Sequence, residues 1–253
     1  MDSIFEPFLL SLIAGLATGI GGIIVLLLRR VSGRVVGFAM GLASGVMLLV
    51  SFNSLFLEAT KLLTHFDLIV MFSLGALTIM ALDLAIPHIE LTRGEEIKSA
   101  ENTKVYRSGV LIAIGVTLHN LPEGLVVAAG YAFMPTLGLI IAIAMMLHNI
   151  PEGVATAIPL TIAGTKPFKV VIIALLSGLA EPVAALVGAI AFSFVGMRSI
   201  IGFSLAFAAG VMTYITADEL IPVAHEYGHH KHTVSAALLL GIILALMIDA
   251  ILS

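Results

Sequence analysis

Long apolar runs follow one another through almost the whole chain, with few charges inside them. A helix that crosses the hydrocarbon of a bilayer needs about 20 mostly apolar residues. Divided at its charge clusters and turn signals, the chain offers eight such stretches: 6–28, 35–59, 67–89, 108–131, 136–163, 168–194, 199–224 and 233–252. The runs are long and do not alternate polar with apolar residues, which favours helices over barrel strands. Composition agrees, since 11% of the 253 residues are charged against about 25% in soluble domains. The expectation is an all-α polytopic membrane protein, with a single transmembrane domain over 1–253. It has no basic face of the kind nucleic acid requires. With no cysteine in the sequence, disulfides and thiolate metal sites are excluded. The opening MDSIFEPF is acidic and lacks the basic start of a cleaved signal peptide, so the first apolar segment is expected to stay.

Lysine and arginine set the direction. Counted from the N-terminus, the odd-numbered loops hold Arg29, Arg30 and Arg34, then Arg93, Lys98, Lys104 and Arg107, then Lys166 and Lys169, then Lys231. The even-numbered loops hold only Lys61 and Arg198. By the positive-inside rule the odd loops are cytoplasmic and both termini lie on the outer side of a plasma (inner) membrane.

The spans also repeat. GFAMGLASGVM at 37–47 resembles GFSLAFAAGVM at 202–212, GLAT at 15–18 resembles GLAE at 178–181, and GALTIMALD at 75–83 resembles GIILALMID at 241–249. Spans 1–3 thus recur as spans 6–8 with opposite topology, around a central antiparallel pair, spans 4 and 5. Inverted repeats of this kind occur in transporters, with the substrate site near the midplane.

Charged groups inside a membrane cost at least about 2.5–3.5 kcal/mol each and are functional candidates. Glu123, Glu152, Glu181, Asp83 and Asp249 lie well inside spans, with Asp218 and Glu219 in span 7 and Glu58 near the end of span 2. No lysine or arginine sits beside them, so protons or a bound cation must balance them. Span 4 carries HNLPEG at 119–124 and span 5 carries HNIPEG at 148–153. His119 and Glu123, four apart, share a helix face with Asn120 adjoining; His148, Asn149 and Glu152 repeat the pattern. Pro122 and Pro151 remove an N–H each and are expected to kink the helices beside these clusters. Imidazole with carboxylate suits a borderline divalent ion such as Zn²⁺, with Fe²⁺, Mn²⁺, Co²⁺ or Cd²⁺ as alternatives. Glu181, before Pro182 in span 6, adds a third acidic helix at comparable depth.

With HNLPEG, HNIPEG, GLAEP at 178–182 and DELIPVAHE at 218–226, the chain resembles the ZIP family of divalent metal transporters, in its prokaryotic GufA-like branch. The resemblance covers essentially the whole chain. It implies a two-metal site: His119, Glu123, His148 and Glu152 at one position, and Asn120, Asn149 and Glu181 at the other, with Glu123 and Glu152 bridging. It also implies a homodimer, and movement of a bundle of spans 1, 4, 5 and 6 against the remaining helices. Two departures stand out. The loop at 90–108, histidine-rich in many relatives, has no histidine here, and the histidines cluster instead in HEYGHHKH at 225–232. Position 148 is Gln in some relatives and 149 acidic in others, which bears on the selectivity and occupancy of the second position.

The expected function is transport of Zn²⁺ or a similar divalent ion toward the cytoplasm by alternating access. The metal is then the transported substrate rather than a cofactor. His225 and Glu226 are candidate exit ligands within a loop that otherwise reads as solvated. Asp83 and Asp249, at equivalent repeat positions, either line the pathway or bond helix to helix. His88 reads as interfacial. The rival readings are an intramembrane metalloenzyme, which has no HExxH to support it, and a metal sensor, supported only by the histidine loop.

Overall fold

The computed structural model describes residues 2–28, 32–85, 99–195, 198–228 and 231–252, and among these no strand occurs. The helices are α1 (Asp2–Leu28), α2 (Gly33–Leu49), α3 (Leu57–Thr60), α4 (His65–Ala85), α5 (Ser99–Phe133) and α6 (Pro135–Ile162). They are followed by α7 (Pro167–Gly178), α8 (Ala180–Val195), α9 (Arg198–Ile215), α10 (Ile221–Gly228) and α11 (Lys231–Leu252). Seven rods are long and apolar enough to cross a membrane: 4–28, 33–60, 65–82, 135–162, 167–194, 199–228 and 232–252. The 35-residue α5 supplies the remaining one of the eight expected spans. It begins at Ser99 rather than at 108, so the polar stretch SAENTKVYR is helical ahead of the apolar segment.

Turn chemistry explains where the central helices end. A single extended residue, Met134 (φ −157°, ψ 126°), separates α5 from α6, and Pro135 opens α6. Proline suits the first helical position because that N–H has no helical partner anyway. Gly138 packs against Tyr131 across this turn, so α5 and α6 run back antiparallel, with their HNxPEG motifs at similar depth. At the other end of α6, Gly164 adopts φ +74°. Gly164 N–H donates to Thr161 O and Thr165 N–H to Leu160 O, 3.0 and 3.1 Å, the Schellman arrangement that only glycine adopts without strain.

The prolines of the two HNxPEG motifs do not interrupt their helices. Both α5 and α6 continue as helix through Pro122 and Pro151. In a membrane, neighbouring helices and polar side chains tolerate the lost backbone bond. Span 6 is interrupted at Leu179 between α7 and α8, two residues before Glu181 and three before Pro182, where the proline leads one to expect a break. Two further irregularities carry no proline at their start. Span 2 passes through a π-helical segment, Val50–Phe56, between α2 and α3. Span 7 does so at Thr216–Leu220, between α9 and α10. Each has a hydroxyl near its beginning that donates to the carbonyl four residues back, Ser51 to Met47 and Thr216 to Met212, both 2.7 Å. Such back-bonding competes with the helical ladder and bends it.

Small residues decide the packing. In a bilayer, association rests on close van der Waals fit, because lipid tails are as apolar as leucine. At the crossing of α1 and α7, a Cβ on Gly15 would collide with the carbonyl of Gly178, and one on Gly178 with that of Gly15. Gly124 of α5 abuts the backbone of Glu181, and Gly153 of α6 abuts that of Thr18. Through these contacts α1, α5, α6, α7 and α8 form one group, with α1 along α6, α7 and α8, and α5 along α6 and α8. In a second group α2 packs on α10 and α11, and α4 packs on α9. The groups meet where α5 lies on α9 and α2 on α6.

Candidate metal site

The sequence put seven polar groups in the middle of the first helix group, and all seven are buried. His119 is 4% exposed and Glu152 5%, while Asn120, Glu123, His148, Asn149 and Glu181 are 0%. They are brought there by three elements. The hairpin of α5 and α6 sets the two motifs side by side. The start of α8, held close by Gly124, adds Glu181.

Glu123, His148 and Glu152 converge, each offering a ligand atom within 4.8 Å of the others. His148 Nε2 lies 2.9 Å from Glu152 Oε1 and 3.5 Å from Glu123 Oε1. Beside them, Asn149 Nδ2 donates to Glu181 Oε2 at 2.6 Å and to the Ala14 carbonyl at 2.9 Å. Asn120 Nδ2 donates to the Ser177 carbonyl at 2.9 Å. Both amides therefore spend their N–H groups on backbone or carboxylate and leave Oδ1 free of hydrogen bonds.

The hydrogen-bond accounting is the most informative property of this cluster. Among the described residues, both carboxylate oxygens of Glu123, both nitrogens of His148, Glu152 Oε2, Glu181 Oε1, Asn120 Oδ1 and Asn149 Oδ1 are buried without a hydrogen-bond partner. A buried polar atom left in this way costs about 1–3 kcal/mol, and more when charged. A dication bound at about 2.0–2.2 Å from its nitrogen and oxygen ligands would satisfy several of these atoms at once and neutralise the carboxylates. The donor set therefore fits a borderline divalent ion.

His119, four residues before Glu123 on α5, also reaches across to span 7. Its Nδ1 lies 3.5 Å from Glu219 Oε2, so it bridges from α5 to the π-helical segment of span 7. Sequence reasoning counted Glu219 among the intramembrane acids but did not connect it to His119. The π-helical turn that carries it has no strong sequence signal.

The other candidates lie apart. Asn53, in the π-helical segment of span 2, donates through Nδ2 to Asp249 Oδ2 at 3.3 Å, so Asp249 bonds helix to helix. Asp83 belongs to α4, and its side chain is outside the described part. His225 and Glu226 are exposed on α10, so this part of the expected loop is helical. His88, His229 and His230 lie outside the described residues. Glu58, near the C-terminal end of span 2, pairs with Lys61 at 2.6 Å, so this acid does have a basic partner, contrary to the expectation from sequence.

Known proteins resemble this chain over most of its length. The family model described as ZIP zinc transporter matches residues 88–249. The chain is 35% identical over 244 residues to the zinc transporter ZupT of Chlorobaculum parvum, covering 90% of this chain and 91% of that protein. It is 36% identical over 250 residues to ZupT of Nitratidesulfovibrio vulgaris, covering 90% of each. ZupT of Akkermansia muciniphila is 34% identical over 267 residues, covering 99% of this chain and 97% of that one. These relatives are named as transporters rather than enzymes, and the match spans both HNxPEG motifs, GLAEP and DELIPVAHE. The chain belongs to the ZIP zinc transporter family.

Proposed function

We propose that the protein carries Zn²⁺, or a similar divalent ion such as Cd²⁺, Fe²⁺, Mn²⁺ or Co²⁺, toward the cytoplasm through a two-metal site between spans 4, 5 and 6. The observation that carries this reading is the set of buried, unpartnered donors at Glu123, His148 and Glu152, adjoined by Asn120, Asn149 and Glu181. An ion arriving there exchanges its water for imidazole and carboxylate ligands. The protein gains by satisfying groups that are costly to bury alone.

Release requires the site to face the other side. The division of the helices into two groups, meeting at α5 on α9 and α2 on α6, supports alternating access by movement of one group against the other. His119 and Glu219 span that boundary, so their contact would have to change as the groups move. An inverted-repeat architecture is supported by contacts that occur twice at matching positions. Gly45 abuts the carbonyl of Leu238 as Gly210 abuts that of Phe72, and Gly241 abuts Leu42 as Gly75 abuts Phe207. We further propose a homodimer in the plasma membrane with both termini outside, on the strength of the arginine and lysine distribution for the orientation and of family resemblance for the dimer.

The test is ⁶⁵Zn²⁺ uptake into vesicles containing the purified protein, beside a Glu123→Ala/Glu152→Ala variant. Uptake by the wild type and none by the variant is the expected result. Equal behaviour of the two, at the level of empty vesicles, sinks the reading.

A further inference from the structure

One motif of the repeat is not used by the ligands named so far. GLAT at 15–18 corresponds to GLAE at 178–181, which places Thr18 of α1 where span 6 has Glu181. The hydrogen bonds keep the same correspondence. Asn149 donates to Ala14 O, four residues before Thr18, and Asn120 donates to Ser177 O, four residues before Glu181. Asn149 also reaches the Glu181 carboxylate, whereas Asn120 Oδ1 has no partner.

Thr18, like Ser11 and Thr156, is a buried hydroxyl without a hydrogen-bond partner, and it is the one of the three at the repeat position of Glu181. Ser44, Ser51, Thr117, Thr161, Ser204, Thr213 and Thr216 all donate to the carbonyl four residues back. Thr18 does not, and the carbonyl it would use, Ala14 O, already accepts the Asn149 amide. Its Oγ1 is buried, with the residue 0% exposed, and has no hydrogen-bond partner. The position is tightly defined. The Thr18 backbone lies against Gly153, next to Glu152, and a Cβ at Gly178 would lie 2.6 Å from Thr18 Oγ1. Gly178 adjoins Ser177, which accepts Asn120, and precedes Glu181 by three residues.

We propose that the Thr18 hydroxyl is a further oxygen ligand of the second metal position, completing with Asn120 Oδ1, Asn149 Oδ1 and Glu181 Oε1 an all-oxygen set for a divalent cation. This rests on the two-position reading above. All four atoms are buried oxygens without a hydrogen-bond partner, and their residues, on α1, α5, α6 and α8, are tied to one another by the Asn120–Ser177, Asn149–Ala14 and Asn149–Glu181 hydrogen bonds at the Gly15–Gly178 crossing. A hydroxyl ligand adds an oxygen without a fourth carboxylate, so the site's formal charge stays at three acids, Glu123, Glu152 and Glu181. Oxygen-only coordination suits a harder ion than the histidine-containing position does.

The test uses the purified full chain in detergent, stripped of metal by chelation and titrated with Zn²⁺. Bound metal per protomer is counted by mass spectrometry and affinities are measured by calorimetry. The wild type is expected to bind two ions. Thr18→Val, which keeps the shape and removes the hydroxyl, should leave the first affinity within about twofold and weaken the second at least about tenfold. Thr18→Ser should retain both. Thr18→Ala, which cannot crowd the helix crossing, serves if the valine variant fails to fold, and should also lose the second ion. Unchanged second-site affinity in the valine or alanine variant overturns the role of Thr18 while leaving the two-position reading intact. A wild type that binds a single ion overturns both, and zinc uptake in the same preparation then reports separately on transport.

Discussion

At the residue scale, the decisive fact is that imidazole, carboxylate and amide groups are buried together with their binding atoms left over. His148 is fully buried, and both of its ring nitrogens lack a hydrogen-bond partner despite the two carboxylates nearby. It is the one nitrogen ligand in the converging set, and so the group that biases that set toward borderline ions. His148→Ala should weaken zinc binding about 10- to 100-fold and narrow the preference for Zn²⁺ over Mn²⁺, read by competition in the uptake assay. His119 stands 3.5 Å from Glu219 at the boundary between the helix groups. His119→Ala is therefore expected to alter uptake rate more than zinc affinity at the Glu123–His148–Glu152 cluster. Similar losses of rate and affinity would place His119 with the other ligands.

At the element scale, two devices position these residues: glycine contacts that bring backbones together and π-helical turns that re-aim side chains. Gly153 lies directly against the Thr18 backbone, where even a methyl group has no room. Gly153→Leu forces α6 away from α1; overpacking of this kind costs about 1–3 kcal/mol or more. A lower Tm together with lost uptake is the expected outcome, and an unchanged Tm would mean the crossing is looser than it looks. The π-helical segment Thr216–Leu220 holds one residue more than an α-helical turn would, and Glu219 lies within it. Deleting Ala217 should restore regular helix with the flanking faces close to their present register, and should withdraw Glu219 from the direction the wider turn gives it. Helix content should survive by circular dichroism while uptake falls; full uptake would show that the π-helical geometry is dispensable.

At the scale of the whole molecule, the helices divide into a group that holds the ligands and a group that packs against it. Because the sequence has no cysteine, a pair introduced as His119→Cys/Glu219→Cys would hold the only thiols. Joining them with a short bifunctional maleimide ties α5 to span 7 across the boundary. Uptake should fall in the joined protein relative to the same double variant left unjoined, and treatment should leave each single-cysteine variant at its own untreated level. Undiminished uptake would argue against relative movement of the two groups. Metal should also stabilise the assembly, since a ligand of the folded state adds about 2.7 kcal/mol at one hundred times its Kd. A Tm that rises with Zn²⁺ in the wild type and does not in Glu123→Ala/Glu152→Ala is the expected pattern.

Membrane residence, the helical class, a count of seven to eight candidate spans and the identity of the buried acids and histidines are legible in the residues alone. The bilayer imposes length and apolarity on every span, and isolated charges stand out against that background. The HNxPEG duplication likewise names candidate ligands, because burying carboxylates twice in membrane helices is costly unless protons or a cation balance them. The break in span 6 beside Glu181 and Pro182 is legible in the proline, whereas the two π-helical segments are not, since the hydroxyl back-bonds at Ser51 and Thr216 also occur inside regular helices of this chain. Only the tertiary structure decided that His148 joins Glu123 and Glu152 while His119 turns to Glu219, and that Asp249 meets Asn53. Those partnerships depend on the height and rotation at which one helix meets another. Backbone contacts at Gly124, Gly153 and Gly178 set that height and rotation, from residues far apart in the chain.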